Sequence, residues 1–192
     1  MSQTSGDQTP AKTRSGRGGI LMLAIIAIVG ILLFAVFYYG ILNPPNERVS
    51  SGQAPDFEVV TYDGDTFRLS EHFGKPIVLN FWASWCETCK DEQPLLEQSW
   101  RQHGDDVLFF GLSHLDQDKN ARKWLETYDV TYPNALDVGG KVYNLYHVQG
   151  VPETFFIDAD GNIVSYYVGA IPTAAVLERY IQEMMNASAA KE

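Results

Sequence analysis

Residues 76–90 read PIVLNFWASWCETCK, a nearly continuous apolar run from Pro76 to Trp82 followed by two cysteines, Cys86 and Cys89. An apolar run without alternation is what a strand covered on both faces needs, so Pro76 to Trp82 is read as the central strand of a sheet. Apolar residues then recur at helical intervals from about Cys86 to His103, with Leu95, Leu96 and Trp100 on one side and Pro94 expected to kink the helix. The two cysteines therefore stand between a buried strand and a helix.

That placement carries chemistry. Backbone N–H groups and the helix dipole at a helix N-terminus stabilise a thiolate, which makes Cys86 the expected nucleophile. Attack on a substrate disulfide gives a mixed disulfide, and Cys89, one turn later, is placed to resolve it. A purely structural disulfide here closes a loop too short to constrain much of the unfolded chain. Zinc needs about four ligands, whereas His72, His103, His114 and His147 are isolated and there is no second cysteine pair. A copper-binding chaperone, the rival of a different class, usually shows a wider cysteine spacing with a placed histidine. A C-x-x-C pair in a strand–helix–strand context favours redox chemistry.

Toward the C-terminus, Val107 to Ser113 reads as a second buried strand and Asp118 to Tyr128 as a helix bearing Ala121, Trp124, Leu125 and Tyr128. Thr154 to Ile157 and Ile163 to Val168 flank Asp158-Ala159-Asp160-Gly161, a hairpin signal, and a helix closes the chain near Pro172 to Met185. Toward the N-terminus, Phe57 to Tyr62 and Thr66 to Leu69 flank Asp63-Gly64-Asp65 as another hairpin. The expected class is α/β, with a mixed central sheet flanked by helices and an N-terminal β-hairpin extension.

Further upstream no charge occurs between Arg17 and Glu47. Ile20 to Leu42 is apolar on every face and, as a helix at about 1.5 Å per residue, spans about 34 Å, enough to cross a bilayer. Tyr38 and Tyr39 suit the membrane interface, and Pro44 and Pro45 stop the helix. A cleaved signal peptide is the competing reading, but the run is long, the flank before it is long, and Phe37 to Pro45 offers no A-x-A-like site. Lys12, Arg14 and Arg17 precede the helix against one acid, Asp7, so the positive-inside rule leaves the N-terminus in the cytoplasm and the rest outside. The expected organisation is a cytoplasmic disordered tail at 1–19, a transmembrane helix at 20–42, a linker at 43–53, the folded domain at 54–187 and a C-terminal tail at 188–192.

The chain's 192 residues and 21.5 kDa suffice for one domain plus such segments. Setting aside the three cations and one anion of residues 1–19 from 14 basic and 24 acidic residues leaves 11 and 23, a net charge of −12. A domain this acidic, in a chain of pI 4.8, argues against a nucleic-acid partner. Two cysteines exclude a disulfide-framework miniprotein.

The stretch Phe81-Trp82-Ala83-Ser84-Trp85-Cys86-Glu87-Thr88-Cys89-Lys90, with Gly150-Val151-Pro152-Glu153-Thr154-Phe155-Phe156-Ile157-Asp158 downstream, resembles the membrane-anchored thioredoxin-like proteins of the TlpA, ResA and CcmG/DsbE group. The resemblance covers about residues 54 to 185. It implies a thioredoxin-like fold and a thiol-disulfide oxidoreductase needing no metal or organic cofactor. Its implied partners are a membrane thiol reductase as electron donor and exported disulfide-containing proteins, notably the C-x-x-C-H haem-attachment site of apocytochrome c. A general exported-protein disulfide reductase or isomerase is the alternative; a peroxiredoxin-like protein is disfavoured by the lack of a lone cysteine in a Thr-rich loop.

The resemblance also implies roles. Spacing alone makes Glu92 a solvated helix acid, whereas the group carries an acid at this offset that tunes the thiols and accepts a proton. Pro152 is expected cis opposite the cysteines, turning the Val151 backbone toward substrate; Glu153 is expected either to line the same groove or to be solvated at a strand edge. Asn80 stands where thioredoxins carry a buried Asp, and is read as a core amide or a direct participant. Trp82 is assigned to the core and Trp85 to an apolar rim beside Cys86. Thr88 replaces a proline common in the group, and Glu87 beside Cys86 disfavours its thiolate, which leans toward a reductant.

Overall fold

The computed structural model describes residues 17–42 and 49–189. The chain divides into two compact units, Met1–Pro45 and Asn46–Glu192. Among its described residues the first contains one helix, α1 (Arg17–Leu42), of which Gly19–Leu42 is long and apolar enough to cross a membrane. Its apolar side chains are exposed all round, from Ile20 to Leu42, which water does not tolerate in a lone helix of this length. The helix begins at Arg17, three residues before the expected Ile20.

In the second unit the central element is β4 (Ile77–Trp82), every residue of which is buried. It pairs in parallel with β5 (Leu108–His114) and antiparallel with β7 (Glu153–Ile157). With β1 (Gly52–Gln53), β8 (Asn162–Val168) and β6 (Asn134–Asp137) the sheet order is β1-β8-β7-β4-β5-β6. Helices α2 (Cys89–His103) and α3 (Asp118–Thr127) make the parallel crossovers β4–β5 and β5–β6; α4 (Lys141–Leu145) and α5 (Ala174–Ala189) complete the layers. A separate hairpin, β2 (Glu58–Val60) with β3 (Thr66–Arg68), meets β6 through a bridge from Thr61 to Ala135. This is the mixed sheet with an N-terminal hairpin that the hydrophobic pattern predicts.

Alternation along β4 sorts its side chains. Ile77, Leu79 and Phe81 enter one cluster with Phe57, Phe67, Phe110, Tyr146 and Phe155. Val78 faces the other way, into Leu96, Phe156, Leu177 and Ile181 of the layer built by α2 and α5. Period two puts Asn80 on the α2 side with Val78, which decides its partners. Because β7 runs antiparallel to β4, with Phe81 opposite Glu153, the start of β7 lies at the sheet end where β4 delivers the cysteines.

Several boundaries differ from expectation. Helix α2 begins at Cys89; Cys86, the expected start, instead ends the preceding turn, its N–H donating to the Ala83 carbonyl at 3.1 Å. Gly52 and Gln53, expected in the linker, pair with Ile163 and Asn162 at the sheet edge. Helix α5 carries 188–189, expected in the tail. The remaining expectations for 1–16, 43–48 and 190–192 lie outside the described residues. Strand β6 and helix α4 had no counterpart in the sequence reading: NALD is too short and polar to show a period, and α4 is one turn.

Candidate active site

Cys86 and Cys89 form a disulfide at the junction of β4 and α2. The Cys89 N–H, the first of α2, points at Cys86 Sγ from 3.1 Å. The Thr88 side chain does not cap the helix, so the sulfur occupies the place of the capping acceptor. In the reduced state the same N–H and helix dipole favour a thiolate on Cys86. Cys86 is the more exposed of the pair, at 5% against 1% for Cys89. Glu87, expected to disfavour the thiolate, is exposed and ion-paired with Lys90, which offsets its charge.

Two segments from elsewhere border the pair. The Val151–Pro152 peptide is cis, and the Val151 carbonyl oxygen lies 3.6 Å from Cys86 Sγ. Pro152 is buried, and its carbonyl accepts the Gly169 N–H at 2.9 Å. On the other side, Trp85 is 59% exposed and its indole N–H donates to the Leu115 carbonyl at 3.1 Å. Asp116 accepts from the Ser84 N–H at 2.6 Å and the Ser84 hydroxyl at 2.7 Å. The loop after β5 thus grips the two residues preceding Cys86. Nothing local in the sequence announces this grip, because Ser84 and Asp116 are 32 residues apart.

Trp82 lies in the core as expected, stacked on Trp124 with ring centroids 4.1 Å apart. Its N–H donates to Asn134 Oδ1 at 2.8 Å. Glu153 departs from both sequence expectations: its side chain is fully buried at the start of β7, so it lines no open groove and is not solvated.

Glu92, one turn beyond Cys89, is 1% exposed. Its Oε1 accepts from the Asn80 amide and its Oε2 from the Ile171 N–H, both at 2.9 Å. Asn80 also donates to Thr154 Oγ1 at 2.9 Å. Burial penalises the carboxylate more than these bonds favour it, and the pKa is pushed up to about 7. The site therefore places a cysteine pair at a helix N-terminus one turn from a buried acid whose pKa burial raises toward neutrality. Among the described residues, no three His, Cys, Asp or Glu side chains gather as a metal site.

Residues 51–166 match the profile of the AhpC/TSA family. The chain belongs to that family. It is 30% identical over 172 residues to thiol-disulfide oxidoreductase ResA of Bacillus cereus strain ZK / E33L, covering 86% of this chain and 93% of the relative. It is 36% identical over 157 residues to thiol:disulfide interchange protein DsbE of Pseudomonas fluorescens biotype C, covering 78% and 85%. Among solved structures, a thiol:disulfide interchange protein of the thioredoxin family from Chlorobium tepidum TLS superposes with a TM-score of 0.62 at 28% identity, covering 72% of this chain and 97% of that one. This member of the AhpC/TSA family is a thiol-disulfide oxidoreductase of the ResA/DsbE type with a thioredoxin-like fold.

Proposed function

We propose that this oxidoreductase is a membrane-anchored reductant of disulfides in exported proteins, with apocytochrome c as its principal substrate. Cys86 attacks the substrate disulfide, forming a mixed disulfide and releasing one substrate thiolate. Cys89, losing its proton to Glu92, attacks Cys86 Sγ and expels the second; two electrons pass to substrate and the Cys86–Cys89 disulfide remains. A membrane thiol reductase restores the dithiol. Helix α1 is the anchor, with the N-terminus cytoplasmic and the folded unit outside.

The observation that carries this reading is the buried Glu92 carboxyl on the helix that bears Cys89, poised near pH 7, where a proton acceptor for a thiol works best. The Val151 carbonyl borders Cys86, and the cis Val151–Pro152 peptide leading into β7 is where a substrate strand would lie. Cys86 and Cys89 bond to each other, so neither stands alone as a peroxidatic thiol must.

The test is capture. Cys89→Ala leaves Cys86 unable to complete the exchange, and partners isolated in mixed disulfides should be apocytochromes c. A broad set of unrelated exported proteins instead would overturn the substrate assignment in favour of a general reductase.

A further inference from the structure

Beside the cysteines lies an open groove of about 410 Å³ to which the dithiol chemistry assigns nothing. Trp85 is among its lining residues. Trp124 and Tyr128 form its aromatic wall, with ring centroids 4.8 Å apart, and Trp124 is backed by its stack on the buried Trp82. The polar rim includes Lys90 and Lys123, and no carboxylate lines the groove. Lys90 pairs with Glu87, but Lys123 is exposed and has no ion-pair partner among the described residues. In a domain carrying a net charge of −12, a groove with only cationic charge in its lining is a local inversion of sign.

Its position gives the inversion a use. Trp85 immediately precedes Cys86, so a chain lying in the groove is the stretch next to the attacked cysteine of a partner. An aromatic wall held rigid by the core favours an apolar side chain, and an unpaired ammonium at its rim favours a carboxylate. The surrounding acidic surface repels the same carboxylate everywhere else, which sharpens selection by charge.

We propose that this groove is a specificity subsite, selecting disulfide partners whose attacked cysteine is flanked by an apolar residue and a carboxylate. The inference rests on the reductase reading above and names part of its substrate class. An anionic lipid surface, which also attracts lysines, is disfavoured because the groove is set in an acidic domain.

The full-length reduced protein in neutral detergent tests it. Three disulfide peptides, identical except for Asp, Asn or Lys next to an apolar flanking residue, are compared for reduction rate, with hydroxyethyl disulfide as an uncharged control too small to reach the groove. Wild type should reduce the Asp peptide about fivefold faster than the Lys peptide at low salt, an advantage that fades as salt rises. Lys123→Glu should reverse the order and leave the control rate unchanged. Cys-to-Ser versions of the peptides, titrated against Trp fluorescence, read the groove without chemistry and should bind in the same order. Equal binding of the Asp and Lys versions, or an order untouched by Lys123→Glu, would overturn the subsite. Charge-selective binding with no reduction of any disulfide supports the subsite and sinks the reductase reading instead. Vesicles of anionic lipid that outcompete the Asp peptide would reassign the groove to a membrane surface.

Discussion

The Asn80 side-chain amide donates to Glu92 Oε1 across 2.9 Å, tying the central strand to the helix that begins at Cys89. Both groups are almost wholly buried. The bond, with that from Ile171, supports the ionised carboxylate against a desolvation penalty that raises its pKa from 4.5 to about 7.

Glu92 should make stability depend on pH in an unusual direction. Its folded pKa lies above its unfolded one, so between these values the folded state binds more proton, and stability falls as pH rises from about 4.5 through about 7. Glu92→Gln removes this dependence. Chemical denaturation of the oxidised protein should show the variant gaining on wild type across that window by on the order of 3 kcal/mol. Parallel stability curves for the two proteins would refute the raised pKa. The same variant should slow disulfide reduction about 10²-fold and flatten its pH profile near 7.

Asn80→Ala removes one donor to Glu92 and one to Thr154. The carboxylate then has less support when ionised, so its pKa should rise above the wild-type value, moving the inflection of the rate profile toward higher pH. Loss of two buried hydrogen bonds should cost about 1–3 kcal/mol in urea denaturation. A shift of the inflection toward lower pH would show that Asn80 does not stabilise the anion.

Gly111 is held to its residue type by contact. A Cβ there would stand 1.8 Å from Asn134 Oδ1 and 2.9 Å from Trp82 Nε1, inside the bond that fastens the Trp82 indole. Gly111→Ala should cost about 2–4 kcal/mol through overpacking and the lost bond, read from the urea midpoint. Wild-type stability would mean that Asn134 moves aside without cost.

The cysteine pair, the buried strand before it and the helix after it are legible in residues 76–103 because they depend on neighbours in sequence: an unbroken apolar run, a helical period and a spacing of three. The length and apolarity of Ile20 to Leu42 are local properties too. Glu92 is a different case. Its spacing from Cys89 reads as a solvated helix acid, and only the family resemblance implies more. The burial and the two donors that change its chemistry come from residues 12 and 79 positions away. Glu153 is misread from sequence for the same reason, since its burial comes from tertiary packing that its neighbours along the chain do not show. The grip of Asp116 on Ser84 and the lysine-rimmed groove likewise depend on how the strand–helix units pack. Residue type and local pattern alone fix which groups can do redox chemistry and where the chain can cross a membrane. The protonation of the acid and the partners of the thiols depend on the folded arrangement, because desolvation and hydrogen bonding are set by packing across the sheet.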